Sequence, residues 1–284
     1  MSHALFLGLL LATPLAVLPA DEPTGDGERP PSSRTVLASA LPGRPAPSAR
    51  PEFEVVRIRA GKIDLEGSWF GPRRKSAARV PGVLLIHDAG GDRNQLEALA
   101  NRIHRQNLAV LTIDLRGHGG SKTAELDWLK MNEDGKKATW AFALADVDAA
   151  VTWLLGRENV HSTRLALVGH GAGCALVARH MLTEANGVAM ALIEPPTEAY
   201  GFGVKKDILK LDGLPTRIIA AEGNGEKEVA ALVTEARQQT TGDPVIDMLL
   251  APPPVITNRA VLGRIAEFLD ECANPDKGST KRGG

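Results

Sequence analysis

Short apolar runs alternate with amphipathic segments along this chain, and that alternation constrains the fold more than any other feature. GVLLIH (82–87), LAVLTIDL (108–115), RLALVG (164–169), VAMALIE (188–194), TRIIAA (216–221) and VIDMLL (245–250) are almost wholly apolar. Runs of that length suit strands buried on both faces. Between them lie residues at helical spacing: Leu96, Leu99, Ala100 and Ile103; then Leu144, Val147, Val151 and Leu154, with Asp146 and Asp148 expected off that face. A small-residue helix is expected from Ala172, and further helices through Val229, Leu232, Val233 and Ala236 and through Val261, Ile265, Phe268 and Leu269. Upstream, FEVVRIRA and KIDLEGSWF, split by Gly61, alternate like a strand pair. The fold class that follows is α/β: a mainly parallel eight-stranded sheet with helices on both faces. Sites in such sheets lie outside the carboxyl ends of the strands. There the chain places HDAGG, DLRGHGG, GHGAG and AAEGNG.

The 284 residues are 43% hydrophobic and 24% charged, with a formal net charge of −1. A balance so near neutral carries no electrostatic footprint for nucleic acid. Arg73-Arg74-Lys75 reads as a solvated loop. The apolar stretch ALFLGLLLATPLAVLPA (4–20) is short for a membrane span and contains Pro14 and Pro19. It reads as a signal peptide, residues 1–20, so the chain is expected to be exported, periplasmic or secreted, with no membrane association after cleavage. An uncleaved N-terminal anchor is the alternative. Residues 21–51, rich in Pro, Gly and Ser, read as a disordered linker and 273–284 as a disordered tail, which leaves a domain at 52–272. Cys174 and Cys272 are read as two unpaired small hydrophobes.

LALVGHGAGCAL (165–176) has the outline of G-x-S-x-G, the strand-to-helix turn that presents a nucleophile, but Gly171 stands at its centre. Together, GVLLIHDAGGDRNQLEALA, LAVLTIDLRGHGGS, ADVDAAVTWL and RLALVGHGAGCAL resemble the α/β-hydrolase superfamily across nearly the whole domain, in its dienelactone-hydrolase-like and serine-aminopeptidase-like esterase branch. The resemblance implies the α/β-hydrolase fold. The short interval between the sixth and seventh strands implies no large lid.

It also implies a nucleophile at 171, an acid after the seventh strand and a histidine after the eighth. Those positions hold Gly171, Asn224 and the run Pro252-Pro253-Pro254, and none of the seven histidines (His3, His87, His104, His118, His161, His170 and His180) follows His180. The degenerate positions point to a non-catalytic pseudo-hydrolase, a pseudoenzyme acting in ligand binding or protein interaction, with no protein partner identified. An active ester or peptide hydrolase with a non-standard catalytic set is the alternative, with Cys174, Glu222 and Glu226 as substitutes.

What the resemblance leaves in place is an oxyanion cradle of backbone N–H groups from Ala89, Gly90 and Ala172 beside a helix N-terminus. Such a cradle suits a small carboxylate, ester or carbonyl ligand; tight-turn glycines are the simpler reading of the same residues. No cofactor is expected. GHGAG lacks the last glycine of a dinucleotide loop, where Cys174 stands. No metal is expected either: H-E-x-x-H and C-x-x-C are missing, and Asp88, Asp92 and His87, close in one loop, read as surface charge.

Overall fold

The computed structural model describes residues 53–73, 78–211, 213–223, 225–239 and 246–275. The expected signal peptide, the linker, Arg74, Lys75, Asn224 and most of the expected tail lie outside the described residues.

The strands are β1 (Glu54–Ala60), β2 (Ile63–Phe70), β3 (Val80–Ile86), β4 (Ala109–Ile113), β5 (Val160–His170), β6 (Ala189–Ile193), β7 (Thr216–Ala221) and β8 (Ile246–Ala251). They form one sheet in the order β1-β2-β4-β3-β5-β6-β7-β8. The β1/β2 and β2/β4 pairs are antiparallel and every pair from β4 to β8 is parallel. This is the mainly parallel eight-stranded sheet expected from the strand–helix alternation, and the α/β-hydrolase fold that the family resemblance implies.

Helices α1 (Glu97–His104) and α6 (Arg259–Ala273) cover one face. Helices α2 (Glu133–Leu155), α3 (Gly173–Glu184), α4 (Val204–Ile208) and α5 (Glu226–Gln239) cover the other. Strand β3 shows why its sequence is continuously apolar. Leu84 and Ile86 enter the layer of α2 and α3, whereas Val83 and Leu85 enter the layer of α1 and α6. All four are fully buried, each contributing about 1.5–3 kcal/mol of transfer free energy. Among the described residues, only the single short helix α4 intervenes between β6 and β7, and no lid domain stands over the strand ends.

The expectation for Asp146 fails. Asp146 is not on the solvent side of α2 but fully buried. The Arg116 guanidinium and backbone N–H both donate to its carboxylate, Nη2 at 2.5 Å and the main-chain N at 2.9 Å. Burial pushes the carboxyl's pKa up while Arg116 pulls it down, and burial dominates.

Candidate functional site

The turn between β5 and α3 is built by its glycines. Gly171 has φ +53°, a left-handed conformation that L-residues avoid. Its N–H donates to the Ile193 carbonyl at 2.9 Å, which ties the turn to the end of β6. A Cβ at Gly173 would stand 2.5 Å from the His87 carbonyl oxygen, so α3 can start this close to β3 only without a side chain there. The elbow geometry is therefore present.

The space above the elbow is already taken. A Cβ on Gly171 would meet the Asp88 carboxyl carbon and Oδ1 at 2.2 Å. Asp88 comes from the loop after β3, and its Oδ1 accepts hydrogen bonds from the N–H groups of Ala89 (2.8 Å) and Ala172 (2.7 Å). Two of the three expected cradle donors thus converge on one oxygen, and that oxygen belongs to the chain itself. The third does not join them, because the Gly90 N–H donates to His118 Nε2 at 3.1 Å. Asp88 is half-buried, and its Oδ2 accepts no hydrogen bond among the described residues.

Reading His87 and Asp88 as surface charge is accordingly corrected, whereas Asp92 stays partly exposed. His87 is fully buried, Asp92 caps the turn Arg93–Leu96 by accepting from the Asn94 N–H, and Asp88 plugs the cradle. Local sequence carries no signal for this, since the two partners of Asp88 lie one and 84 residues away. The available clue is indirect: a glycine elbow leaves a vacancy, and HDAGG is the neighbouring loop that carries an acid.

Two histidines near the elbow, His87 and His118, are committed to the backbone. His87 Nε2 accepts from the Leu115 N–H at 3.0 Å and its Nδ1 faces the Asp88 carbonyl at 2.7 Å. His118 Nε2 accepts from Gly90 while its Nδ1 faces the Arg116 carbonyl at 3.0 Å. Each ring is thus a neutral Nδ1–H tautomer with both nitrogens occupied. Burial pushes the His87 pKa down to about 3 and lowers that of His118 as well. His170 Nε2 stands 3.8 Å from Glu194 Oε2 at the end of β6.

The DLRGHGG segment has a framework role. Asp114, fully buried, accepts from Gly120 N–H (2.7 Å) and from Arg93 N–H (2.7 Å) and pairs with the Arg93 guanidinium. Ser121 Oγ donates to the Asp114 carbonyl at 2.7 Å.

Above the elbow opens a cavity of about 590 Å³. Asp88, Gly171 and Ala172 form part of its wall, with Glu133 and Lys137 from α2 and Glu194 and Tyr200 from the segment after β6. Tyr200 packs edge-on against Trp128, ring centroids 5.1 Å apart.

Residues 83–271 match the profile described as "Alpha/beta hydrolase family". The chain belongs to the α/β hydrolase family. An uncharacterized protein of Mycobacterium tuberculosis (strain H37Rv) is 26% identical to this α/β hydrolase over 227 residues, 73% of this chain and 75% of that one. Among solved structures, the Pyrococcus furiosus esterase Pf2001 is 17% identical, with a TM-score of 0.60 over 78% of this chain and 93% of its own. A dienelactone hydrolase from Anabaena variabilis is 16% identical, with a TM-score of 0.59 over 78% of this chain and 96% of its own. At these identities the two structures bear on the fold alone.

The candidate substitutes in this α/β hydrolase stand apart from the cavity. Cys174 is fully buried, its Sγ donates to the Ile193 carbonyl at 3.4 Å, and burial pushes the thiol's pKa well above its usual value. A thiol held neutral in the core is a poor nucleophile. Glu222 is exposed, and Glu226 accepts from the Gly223 N–H at 3.1 Å at the start of α5. Neither lines the cavity. Cys174 and Cys272 are both free. Among the described residues, no group of His, Cys, Asp and Glu is arranged to hold a metal ion.

Proposed function

We propose that this α/β-hydrolase-fold protein is non-catalytic and uses the cavity above its elbow to bind a small molecule. The observation that carries the reading is the position of Asp88. In acyl transfer the elbow supplies a nucleophile and two backbone N–H groups stabilise the developing oxyanion. Here one carboxylate lies where the elbow side chain would project and also takes both N–H groups. An ester carbonyl entering the cavity would find no side chain to attack it and no free donor from Ala89 or Ala172. It would also meet a negative charge where negative charge has to develop, which raises the barrier. The sequence agrees in offering no histidine after β8 and Asn224 where the family resemblance implies an acid.

The test is hydrolysis of short-chain p-nitrophenyl esters and thioesters by the purified protein. No turnover above the buffer rate is expected. Turnover that disappears on substituting a cavity residue would overturn the reading.

A further inference from the structure

We propose that the cavity between the loops after β3 and β4 binds a small carboxylate with an apolar body, the Trp128 indole N–H being its fixed donor. This site is separate from the elbow cavity and does not depend on how that cavity is read. It measures about 300 Å³. Trp128, in its wall, is only 4% exposed. The ring is held by His118, Trp140 and Tyr200, with centroids 4.7, 5.4 and 5.1 Å away. Its backbone N–H donates to the Gly117 carbonyl at 2.9 Å, and Asp127 caps the same turn by accepting from the Leu129 N–H at 3.2 Å. A buried indole N–H ordinarily has a hydrogen-bond partner. That of Trp128 has none among the described residues, and unlike the sealed Trp140 Nε1 it opens on the cavity. A Cβ on Gly90 would stand 3.6 Å from Trp128 Nε1 and 3.7 Å from Cδ1, so the polar edge of the ring lies across bare backbone at the cavity wall. Its acceptor has to come from what the cavity holds. A donor fixed this firmly needs no reorganisation when a ligand arrives.

An indole N–H only donates, so the ligand has to present an acceptor. The rest of the wall favours an anionic one. Lys122, whose ammonium likewise only donates, lines the cavity and forms no ion pair among the described residues. Gln95 packs its amide over Gly91, where a Cβ would come within 2.3 Å of Nε2 and Oε1. That amide makes no side-chain hydrogen bond among the described residues and offers a further N–H. Asp92 is the acid on this wall, and its Oδ1 is already taken by the Asn94 N–H at 2.9 Å. A carboxylate can set one oxygen on the indole N–H and the other on Lys122. An ammonium ligand would leave the indole without an acceptor. Leu129, 75% exposed, lines the same cavity, and the ligand's apolar body would cover it.

The experiment is a titration of the full chain at low salt with benzoate, benzamide and benzylammonium, three probes that share a ring and differ in the head group. It is followed by NMR of the ¹⁵N-labelled indoles of the four tryptophans, Trp69, Trp128, Trp140 and Trp153. Benzoate is expected to bind about tenfold more tightly than the other two, as a charge-assisted hydrogen bond implies. The Trp128 indole proton, identified by its loss in Trp128→Phe, should move downfield on saturation, and further than the other three. Trp128→Phe keeps a ring but removes the N–H, and should lower benzoate affinity about tenfold. Lys122→Gln should lower it about threefold, the effect of one exposed charge, and added salt should weaken binding. If Trp128→Phe fails to fold, the order of the probes, Lys122→Gln and the salt dependence carry the test. The proposal is overturned by any of four results: no saturable benzoate binding, equal or tighter binding of benzamide or benzylammonium, affinity indifferent to Lys122→Gln and salt, or a Trp128 resonance unmoved at saturation. Ester turnover at the elbow would remove the non-catalytic reading and leave this titration to be decided by its own affinities.

Discussion

Gly171 is held in place by two separate constraints. Its φ of +53° strains any residue with a Cβ, and that Cβ would also collide with the Asp88 carboxylate. Gly171→Ser is therefore expected to lower stability by about 1–3 kcal/mol without creating esterase activity. Part of that loss comes from evicting Asp88, so the same substitution in an Asp88→Gly background should lower stability less. Urea denaturation of the four proteins in this double-mutant cycle measures the coupling. Additive effects would show that Asp88 does not occupy the elbow space in solution. The vacancy at residue 171 is legible from GHGAG alone, because a glycine replaces the nucleophile in an otherwise recognisable turn. Its occupant is not legible, because whether Asp88 faces solvent or the Ala172 N–H depends on how β3 and β5 pair.

At the scale of elements, the loops after β3 and β4 are laced together reciprocally. His87 accepts from Leu115, and His118 accepts from Gly90. Both rings must stay neutral to accept these bonds. With a folded pKa near 3 for His87, lowered from 6.5, the unfolded chain binds the extra proton first as pH falls. Stability from this site is complete above about pH 6.5 and declines as pH drops, by up to roughly 1.4 kcal/mol per pH unit. The lowered pKa of His118 acts in the same direction. Denaturation midpoints between pH 7.5 and about 5, above the range where carboxylates titrate, should fall accordingly, and His87→Gln should flatten the slope. A second clamp joins the β4 loop to α2. Asp146→Ala, which leaves the Arg116 guanidinium buried without its partner, is expected to lower stability by about 3–5 kcal/mol in the same assay. The strands and helices themselves are legible because parallel strands covered on both faces must read as unbroken apolar runs. The burial of Asp146 is not legible, because helical spacing ranks positions by apolar neighbours. Its partner lies 30 residues away in a loop that the spacing does not describe.

For the whole molecule, the family's sheet order and elbow coexist with a floor of opposite charge to the one acyl transfer requires. Fluorophosphonate treatment of the intact protein is expected to leave its mass unchanged, and a covalent adduct at any cavity residue would contradict the non-catalytic reading. The contact between Asp88 and the elbow also restricts how this sequence can change. A serine introduced at 171 meets the carboxylate, and removal of the carboxylate first leaves the Ala89 and Ala172 N–H groups without their acceptor. Either order of substitution passes through a less stable protein, and neither supplies a histidine. The hydrogen bond from the Ala172 N–H to Asp88 is thus expected to act as an epistatic ratchet, with a stability valley that no single substitution crosses lying between this chain and a serine at 171.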